Sequence, residues 1–357
     1  AATGRLADES IETALRALVR FRALSDHIGV QETHVIATAA ARDAVNGPEF
    51  VDQVEQVIGA KVRILNGKEE AYYSAVGVQS GFWKPRGIVG DLGGGSLELI
   101  EVSDEKPRAG STFPLGGLRL QEVSGGKISR ASLIVDDYLR DYRWPELEPG
   151  NRTFYAVGGT WRSLARLHLF QNNYPLHVMH NYEISADEAI EFCKSVAVRN
   201  LEGIDCAEVV SKQRRPLVPF GAVVLERVLK AMKAERVFLS ATGVREGLLH
   251  EALPDDIKAR IDGEMIALKN FYLRHPQYRH EIDFICKRKS VMERQFQYSD
   301  IHDKIASKIA YESMFLGGSL TLYMEVRDAM TRTGVDRLIE ADFDHALKDR
   351  KHAMKAL

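Results

Sequence analysis

The sequence lacks the features that mark secreted and membrane-spanning proteins. Its three cysteines, Cys193, Cys206 and Cys286, are widely separated and form no CxxC pair, which argues against a disulfide framework or a thiolate metal site and favours a reducing compartment. No apolar run approaches the roughly 18 residues that a membrane span needs. Residues 1–6 also lack the charged-then-apolar pattern of a signal peptide. These absences predict a cytoplasmic protein that binds no membrane.

An excess of positive charge is missing as well. The chain has 48 lysines and arginines against 50 aspartates and glutamates, a formal net charge of −2. Without a global basic field we expect no nucleic-acid partner, and an anionic substrate must be held by local groups such as backbone amides, a few arginines or a metal ion. The length of 357 residues is sufficient for about two or three domains.

Short apolar segments alternate with helical patterns as far as residue 252, which is typical of an α/β fold. The predicted strands are residues 34–37, 61–65, 88–90, 97–102, 153–157 and 237–239. Beyond residue 254 the sequence is rich in Met and charge and has few strand signals. We therefore expect one domain over residues 1–84, a second over residues 85–252, and a helical module over residues 253–357.

The sharpest motif is a triple-glycine loop between two predicted strands. Residues 91–98 read Asp-Leu-Gly-Gly-Gly-Ser-Leu-Glu. Because glycine has no Cβ, the backbone amides of Gly93, Gly94 and Gly95 can crowd around an anion. The loop is therefore a candidate phosphate-binding site.

Two acids flank this loop. Asp91, at the end of the first strand, can hold a metal ion or its water beside the anion. Strand alternation puts Ser96 and Glu98 on one face of the second strand, so Glu98 can point back toward the same place. The alternative is a solvated glycine-rich hairpin, but such a turn does not require acids on both sides.

The segment 66–71, Asn-Gly-Lys-Glu-Glu-Ala, carries the candidate catalytic base. Asn66 is a good N-cap, and Glu69 stands three residues later, where a capping box needs its carboxylate. Glu70 is then available as a general base that activates a water molecule. Its alternative role is a favourable negative charge in the first helical turn.

An arginine and a further glycine turn provide additional candidate phosphate contacts. Arg42 lies in a helix start of small residues, where a guanidinium group can approach phosphate oxygens; a surface salt bridge with Asp43 is the alternative. Gly159 and Thr160 follow the predicted strand 153–157. They place a helix N-terminus at the carboxyl end of a strand, where open α/β sheets bind anions.

Taken in order along the chain, these motifs resemble those of the exopolyphosphatase / guanosine pentaphosphate phosphohydrolase (Ppx/GppA) family. The matching segments are residues 37–50, 66–71, 87–102, 156–167, 211–226 and 240–249. The resemblance covers residues 1–252 and is specific, because the whole ordered set matches. It implies an α/β fold of the actin/Hsp70/sugar-kinase (ribonuclease H-like) type, with the active site in the cleft between two domains.

The resemblance also implies a chemistry, the attack of water on a terminal phosphoanhydride with the help of Mg²⁺ or another divalent cation. Glu70 matches the family's catalytic base, and Asp91 and Glu98 match acids that hold the metal ion or its water. The residues expected to bind phosphate are Arg42, Gly93, Gly94, Gly95, Ser96, Gly159 and Thr160. Phosphoryl transfer depends mainly on positioning and on neutralising phosphate charge, which these groups supply.

Inorganic polyphosphate and guanosine pentaphosphate are both compatible substrates. A polyphosphate chain requires a basic channel, for which the candidates are Lys68, Arg214, Arg215 and Arg245. A guanosine nucleotide requires an aromatic surface, for which Trp161 and Tyr72 are candidates. An ATPase or sugar kinase of the same fold, and a non-catalytic sensor of polyphosphate or nucleotide, are alternatives from other functional classes. The resemblance is also compatible with a homodimer.

Two parts of the chain depart from the family pattern. Family members begin with a strand and a first phosphate loop of the type D-x-G-S-N-S, followed by a β-hairpin, and no such motif occurs in this sequence. We therefore expect little activity from this polypeptide by itself. Residues 253–357 show only a faint likeness to the helical C-terminal domain of long members. Their doublet His302–Asp303 lacks partners at helical spacing, so we predict a surface pair.

Overall fold

The structure, a computed structural model, describes part of the chain. The described residues are 4–258 except 83, 104, 109, 173, 175–178, 200, 202–206 and 256. Ala1–Leu167 and Asn181–Ala252 form one compact unit, and His168–His180 with Leu253–Leu357 form a second. Most of the predicted helical module, including the His302–Asp303 doublet, lies outside the described residues. The division at residue 84 stays a prediction.

The elements follow the alternation predicted from the sequence. The helices are α1 Asp8–Ile28, α2 Ala39–Asp43, α3 Gly47–Ile58, α4 Gly67–Gly81, α5 Gly117–Val123, α6 Ile128–Arg140, α7 Gly159–Gln171, α8 Ala186–Arg199, α9 Val218–Ala231 and α10 Val244–Ala252. The strands are β1 Val35–Ala37, β2 Val62–Ile64, β3 Gly87–Leu92, β4 Leu97–Val102, β5 Ser111–Phe113, β6 Thr153–Val157, β7 Tyr182–Ser185 and β8 Arg236–Leu239. The short elements β5, α5 and β7 were not predicted, because so few residues show no clear period.

Six strands form a mixed sheet in the order β5-β4-β3-β6-β8-β7. The central strands β3, β6 and β8 are parallel, while β4 pairs antiparallel with β3, β5 with β4, and β7 with β8. Every residue of β6 is buried, and β3 is nearly so, which explains why both have continuous apolar sequences. The sheet with its helices confirms the predicted α/β fold class.

The carboxyl ends of the three parallel strands lie at one edge of this sheet, which is where such sheets bind ligands. Asp91 is the penultimate residue of β3, Gly158 and Gly159 follow β6, and Ser240 follows β8. Gly158 has φ +114°, and a Cβ on it would lie 2.4 Å from the Leu92 carbonyl oxygen. Only glycine therefore lets β6 turn into α7 beside β3.

A second, two-stranded sheet carries the helix with the candidate base. Strands β1 and β2 pair in parallel, so their carboxyl ends lie side by side. The first leads into α2, which bears Arg42, and the second leads through the buried Leu65 into α4, which bears Glu70. The pairing of β1 with β2 thus brings these two charged residues together.

Helices α4 and α10 touch through their backbones. A Cβ on Gly77 would lie 2.2 Å from the Gly243 carbonyl oxygen, and a Cβ on Gly247 would lie 1.9 Å from the Tyr73 carbonyl oxygen. Neither position has room for a side chain, because backbone atoms cannot move aside as a flexible side chain does. The contact holds α4 against the segment that follows β8.

One local detail differs from the prediction. The predicted strand 88–90 begins at Gly87 and extends to Leu92, so Asp91 lies inside a strand. Asn66 is the N-cap of α4, as predicted, and Gly67 is the first residue of that helix. Within the described ranges, no helix has both the length and the apolar character that crossing a membrane requires.

Candidate active site

Two acids of the triple-glycine hairpin face each other across adjacent strands. Asp91 pairs directly with Glu98, and such opposite residues point to the same face with Cβ atoms about 4.5–5.5 Å apart. Glu98 is 3% exposed, and its Oε1 has no hydrogen-bond partner among the described residues. A hydrogen bond joins the Ser96 side chain to the Glu98 carboxylate. The pairing brings both carboxylates to one place, as strand alternation predicts.

Both acids ionise less readily than they would in water. Burial raises the pKa of Glu98 to about 8, and the negative charges of Asp91 and Glu70 add to this effect. Burial also raises the pKa of Asp91, although a hydrogen bond from Ser74 and the positive charge of Arg162 oppose the rise. Carboxylates enclosed together in this way are stabilised by a bound cation.

Helix α4 begins with the predicted capping box. The Asn66 side-chain oxygen accepts hydrogen bonds from the amides of Lys68 and Glu69, each at 3.0 Å. The Glu69 carboxylate accepts one from the Asn66 amide at 2.9 Å and pairs with Arg63 at 2.6 Å. The structural role predicted for Glu69 is confirmed, and Glu70 is the buried acid of this turn.

Glu70 is 7% exposed and is paired with Arg42. Arg42 Nη1 lies 2.6 Å from Glu70 Oε1 and 2.7 Å from the Leu65 carbonyl oxygen, and Arg42 Nε lies 3.0 Å from Asp43 Oδ1. The salt bridge to Asp43 is therefore present together with the inward contact. Burial raises the pKa of Glu70, Arg42 opposes the rise, and Asp91 adds to it. Glu70 thus belongs to the same group of charges as Asp91.

The carbonyl groups of the glycine loop are anchored by the start of α5. The Gly117 amide donates to the Gly93 carbonyl at 3.1 Å, and the Leu118 amide donates to the Gly94 carbonyl at 3.0 Å. Gly116, just before this helix, leaves no room for a side chain, since its Cβ would lie 2.4 Å from the Gly94 carbonyl carbon. Sequence analysis did not single out Gly116 and Gly117, although a second glycine doublet was a usable signal.

Of the amides in this loop, that of Gly93 donates to the Ser96 carbonyl at 3.0 Å and so is not open to an anion as predicted, whereas the next three have no internal partner. Among the described residues, the amides of Gly94, Gly95 and Ser96 donate no hydrogen bond. A Cβ on Gly95 would lie 3.5 Å from the Ala39 side chain, so the loop lies beside the start of α2. A run of unpartnered amides is suited to phosphate oxygens.

Gly159 and Thr160, the other predicted phosphate-binding residues, begin α7. A Cβ on Gly159 would lie 3.0 Å from the Arg214 guanidinium group, so this helix start is next to a cation. Thr160 is buried, and its Cγ2 lies 2.4 Å from where a Cβ on Gly221 would be. The Thr160 methyl group therefore packs against α9, and its contact with phosphate stays a prediction.

Sequence analysis missed two residues close to Asp91. The Ser74 hydroxyl donates a hydrogen bond to the Asp91 carboxylate. Ser74 follows Glu70 by one helical turn, so the period of α4 was a usable signal. Arg162 is half-buried, and its positive charge acts on Asp91. It lies in the first turn of α7, where the sequence already indicated anion binding.

The aromatic residues considered for nucleotide stacking are engaged elsewhere. Trp161 is 0% exposed, and its Nε1 donates to the Gly221 carbonyl at 2.9 Å. The interpretation of Trp161 as a stacking surface is therefore wrong. The Tyr72 hydroxyl lies 2.7 Å from Glu251 Oε1, and the Lys106 ammonium group lies 5.5 Å from the centre of the Tyr72 ring.

Asp91 and Glu98 form a donor set that suits Mg²⁺, which is usually held by one or two carboxylates together with substrate phosphate oxygens. In the part of the chain that the structure describes, no group of three or more His, Cys, Asp or Glu is placed to hold a metal ion. The unpartnered Glu98 oxygen and the raised pKa of both acids fit a site that the substrate completes. The ion itself stays a prediction.

Comparisons of sequence identify relatives of this chain. The model of the Ppx/GppA phosphatase family matches residues 1–256. Exopolyphosphatase 1 of Mycobacterium leprae is 28% identical over 278 residues, which cover 71% of this chain and 76% of that protein. Retrograde regulation protein 2 of Saccharomyces cerevisiae is 27% identical over 283 residues, which cover 70% of this chain and 47% of that protein. The chain thus spans about half the length of the yeast relative.

Comparisons of structure lead to the same family. The crystal structure of an exopolyphosphatase-like protein matches with a TM-score of 0.60 at 26% identity, covering 69% of this chain and 83% of that one. The Ppx/GppA family member of Aquifex aeolicus matches with a TM-score of 0.57 at 23% identity, covering 69% and 82%, and shows the shared fold. The α/β fold expected from the resemblance is confirmed, and the chain belongs to the Ppx/GppA phosphatase family.

Proposed function

We propose that the protein hydrolyses a phosphoanhydride bond and releases the terminal phosphate of inorganic polyphosphate. The observation that supports this most directly is that Asp91 and Glu98 lie opposite each other beside a loop with unpartnered amides. Ser74, one helical turn after Glu70 on α4, donates a hydrogen bond to Asp91 and so joins the helix of Glu70 to this pair. Membership of a phosphatase family supports the reaction, and the similarity to a mycobacterial exopolyphosphatase supports the substrate. Mg²⁺ as cofactor, a cytoplasmic location and a homodimer belong to the same proposal.

In the proposed reaction the glycine loop and Arg42 bind the terminal phosphate. The amides of Gly94 and Gly95 donate to its oxygens, and the Arg42 guanidinium group donates to two of them, as its fork geometry favours. Arg42 is then shared between the phosphate and Glu70. Because Glu70 loses part of the ion pair that it has in the free protein, its carboxylate becomes a stronger base when substrate binds.

Glu70 orients a water molecule and accepts its proton. The water oxygen bonds to the terminal phosphorus while the bond from phosphorus to the bridging oxygen breaks, and the electron pair leaves with the shortened chain. Ser74 keeps the Asp91 carboxylate in place through its hydrogen bond. Asp91 and Glu98 would hold Mg²⁺, which supplies positive charge to the phosphate oxygens.

The state of the aromatic residues favours polyphosphate over guanosine pentaphosphate. Trp161 is buried in the layer between sheet and helix, and Tyr72 is engaged with Glu251 and Lys106. Trp161 is therefore closed to a nucleotide, and the ring and hydroxyl of Tyr72 are both engaged by neighbouring side chains. A kinase reading requires transfer of phosphate to an acceptor other than water, so the detection of a phosphorylated acceptor would support that reading instead.

The test is phosphate release from polyphosphate by the wild type and by Glu70→Gln. Loss of a general base predicts a fall in kcat of about a hundredfold, with polyphosphate affinity little changed. Glu69→Gln is the matched control, because glutamine also serves in a capping box.

Equal turnover by Glu70→Gln and wild type would remove Glu70 from the role of base. Calorimetric binding of polyphosphate with no phosphate release by the wild type would contradict the hydrolase proposal and support the sensor alternative.

A further inference from the structure

One row of side chains runs straight across three neighbouring strands of the mixed sheet. Asp91 of β3 pairs with Glu98 of β4, and Glu98 pairs with Thr112 of β5. Because directly opposite residues of antiparallel strands point to the same face of a sheet, Thr112 lies on the face that bears both acids. These three residues are called the cross-strand row below, and Thr112 is its exposed end.

Helix α4 lies over the cross-strand row and contacts both of its ends. At one end, Ser74 donates a hydrogen bond to Asp91. At the other end, a Cβ on Gly67 would lie 2.2 Å from Thr112 Oγ1, 2.8 Å from Cγ2 and 2.9 Å from Cβ. Ser74 follows Gly67 by seven residues, a rise of about 10.5 Å along a helix. Two strand spacings are about 9.5 Å, so the helix segment and the row match in length.

Glu70 lies between these two contacts. It follows Gly67 by three residues and precedes Ser74 by four, so all three lie on one side of α4. Burial raises the pKa of Glu98, the middle residue of the row, and the negative charge of Glu70 adds to the rise. The contacts at the two ends thus hold the candidate base over the middle of the cross-strand row.

The contact at Gly67 depends on the shape of the Thr112 side chain. In the described part of the chain, the Thr112 hydroxyl forms no hydrogen bond with a protein group. Thr112 is β-branched, so rotation about χ1 places another heavy atom near Gly67 and leaves the Cβ where it is. The Cβ can move only with the backbone of β5, which is held by its pairing with β4. Thr112 therefore acts as a spacer beneath the first turn of α4.

We propose that Thr112 is a positioning residue, whose side chain beneath Gly67 sets the height of Glu70 above Glu98. The proposal rests on the proposed function, in which Glu70 accepts a proton from the attacking water. That water must fit between the base and the phosphorus atom, and a displacement of about 1 Å can cost about a hundredfold in rate. Thr112 acts through α4, without touching the reacting atoms.

The test measures kcat and KM for phosphate release from polyphosphate by variants of the whole chain. Thr112→Ala removes both atoms that Thr112 places beyond its Cβ and should lower kcat about tenfold, with KM little changed. Thr112→Val keeps the branched shape without the hydroxyl and should retain the wild-type kcat. Ser111→Ala is the matched control. Ser111 lies on the other face of β5 and is hydrogen-bonded to Tyr142, so this variant should lose stability and keep both constants.

Moving the spacer from the strand to the helix tests the contact itself. In Gly67→Ala the added methyl group meets Thr112, which should lower both kcat and the denaturant concentration at the midpoint of unfolding. In Gly67→Ala combined with Thr112→Gly, the methyl group occupies the vacated space. The losses in kcat and in the midpoint should then be smaller than the sum of the losses in the two single variants, as expected for residues in contact.

The outcomes separate this inference from the proposed function. A loss of kcat in Thr112→Val equal to that in Thr112→Ala would overturn the inference, because the hydroxyl would then act directly. Glu70-dependent turnover with additive losses in the double variant would also overturn it and leave the hydrolase proposal standing. Smaller than additive losses in the midpoint, in a protein that releases no phosphate, would overturn the hydrolase proposal and leave the placement of α4 by Thr112 standing.

Discussion

The acids and a cluster of three arginines, Arg162, Arg214 and Arg245 (the arginine cluster), are groups of opposite charge that differ in how they are held. Glu70 is fixed by Arg42, Asp91 by Ser74, and Glu98 by the Ser96 hydroxyl. Among the described residues the arginine cluster has few such supports, and the Glu246 carboxylate lies 3.7 Å from Arg245. Firm support is thus found where the bond is proposed to break, and long adaptable side chains are found along the predicted channel.

Both groups nevertheless share one physical property. Burial raises the pKa of the three acids and lowers that of Arg162, so each group is shifted toward its neutral form. Without a ligand, the like charges within each group repel one another and destabilise the folded protein. A ligand of the opposite charge stabilises each group. The comparison implies a site that gains stability from a cation and a phosphate chain together.

The largest expected effect comes from removing an acid. The pKa of Glu98 is about 8 in the folded protein, against an ordinary value of 4.5. Between these two pH values the folded protein keeps a proton that the unfolded chain releases. The contribution of Glu98 to the free energy of unfolding should therefore be greatest below about pH 4.5 and be lost as the pH rises from there to about 8. Glu98→Gln should abolish this loss, which is on the order of 5 kcal/mol.

Denaturant titrations from pH 5 to pH 8.5 without divalent cations measure this effect. Glu101→Gln, on the same strand, is the control and should retain the wild-type slope. An unchanged slope in Glu98→Gln would show that another group carries the dependence on pH.

The next effect concerns the proposed cation. Asp91→Asn removes one of the two carboxylates expected to hold Mg²⁺ and should raise the Mg²⁺ concentration needed for half-maximal thermal stabilisation by about tenfold. Differential scanning fluorimetry in the presence of tripolyphosphate measures it without relying on turnover. A wild-type response to Mg²⁺ would remove Asp91 from the metal role.

A smaller effect tests Arg42, which is paired with Glu70. Arg42 opposes the rise in the pKa of Glu70, so Arg42→Met should move the acidic limb of the kcat profile to higher pH by about one unit. The profile is recorded at saturating polyphosphate, so that weaker binding does not distort it. If the limb stays in place, Glu70 is not the group that titrates in the reaction.

The smallest effect should appear in the arginine cluster. Arg214→Met relieves repulsion within the cluster and should stabilise the ligand-free protein by about 0.5 kcal/mol at low salt. Saturating tripolyphosphate should reverse the order, because the variant gains less from the anion. A loss of stability in the ligand-free state would show that Arg214 serves mainly as a packing residue.

The sequence was most informative where a local rule decides the geometry. The capping box separated Glu69 from Glu70 because it is settled within one helical turn. The two-residue period of a strand placed Asp91 and Glu98 on one face, and the register of the hairpin then set them directly opposite. These residues could be predicted without knowledge of the rest of the fold.

The sequence was least informative where packing between distant segments decides. Arg162 and Arg214 approach each other because α7 and α9 begin beside one another. No local sequence pattern encodes this arrangement. The burial of Trp161 is a similar case, because its place beneath Gly221 depends on where α9 crosses α7. An aromatic residue next to a glycine turn has the same local sequence whether it faces ligand or core.

The backbone contact between α4 and α10 has a consequence for mutational screens. A single added methyl group at Gly77 or Gly247 would press on main-chain atoms of the opposite helix, and the helix that moves is the one bearing Glu70 and Ser74. Inactive variants should therefore accumulate at glycines that never meet the substrate. Their signature is a lost rate in a protein that still folds and still captures polyphosphate.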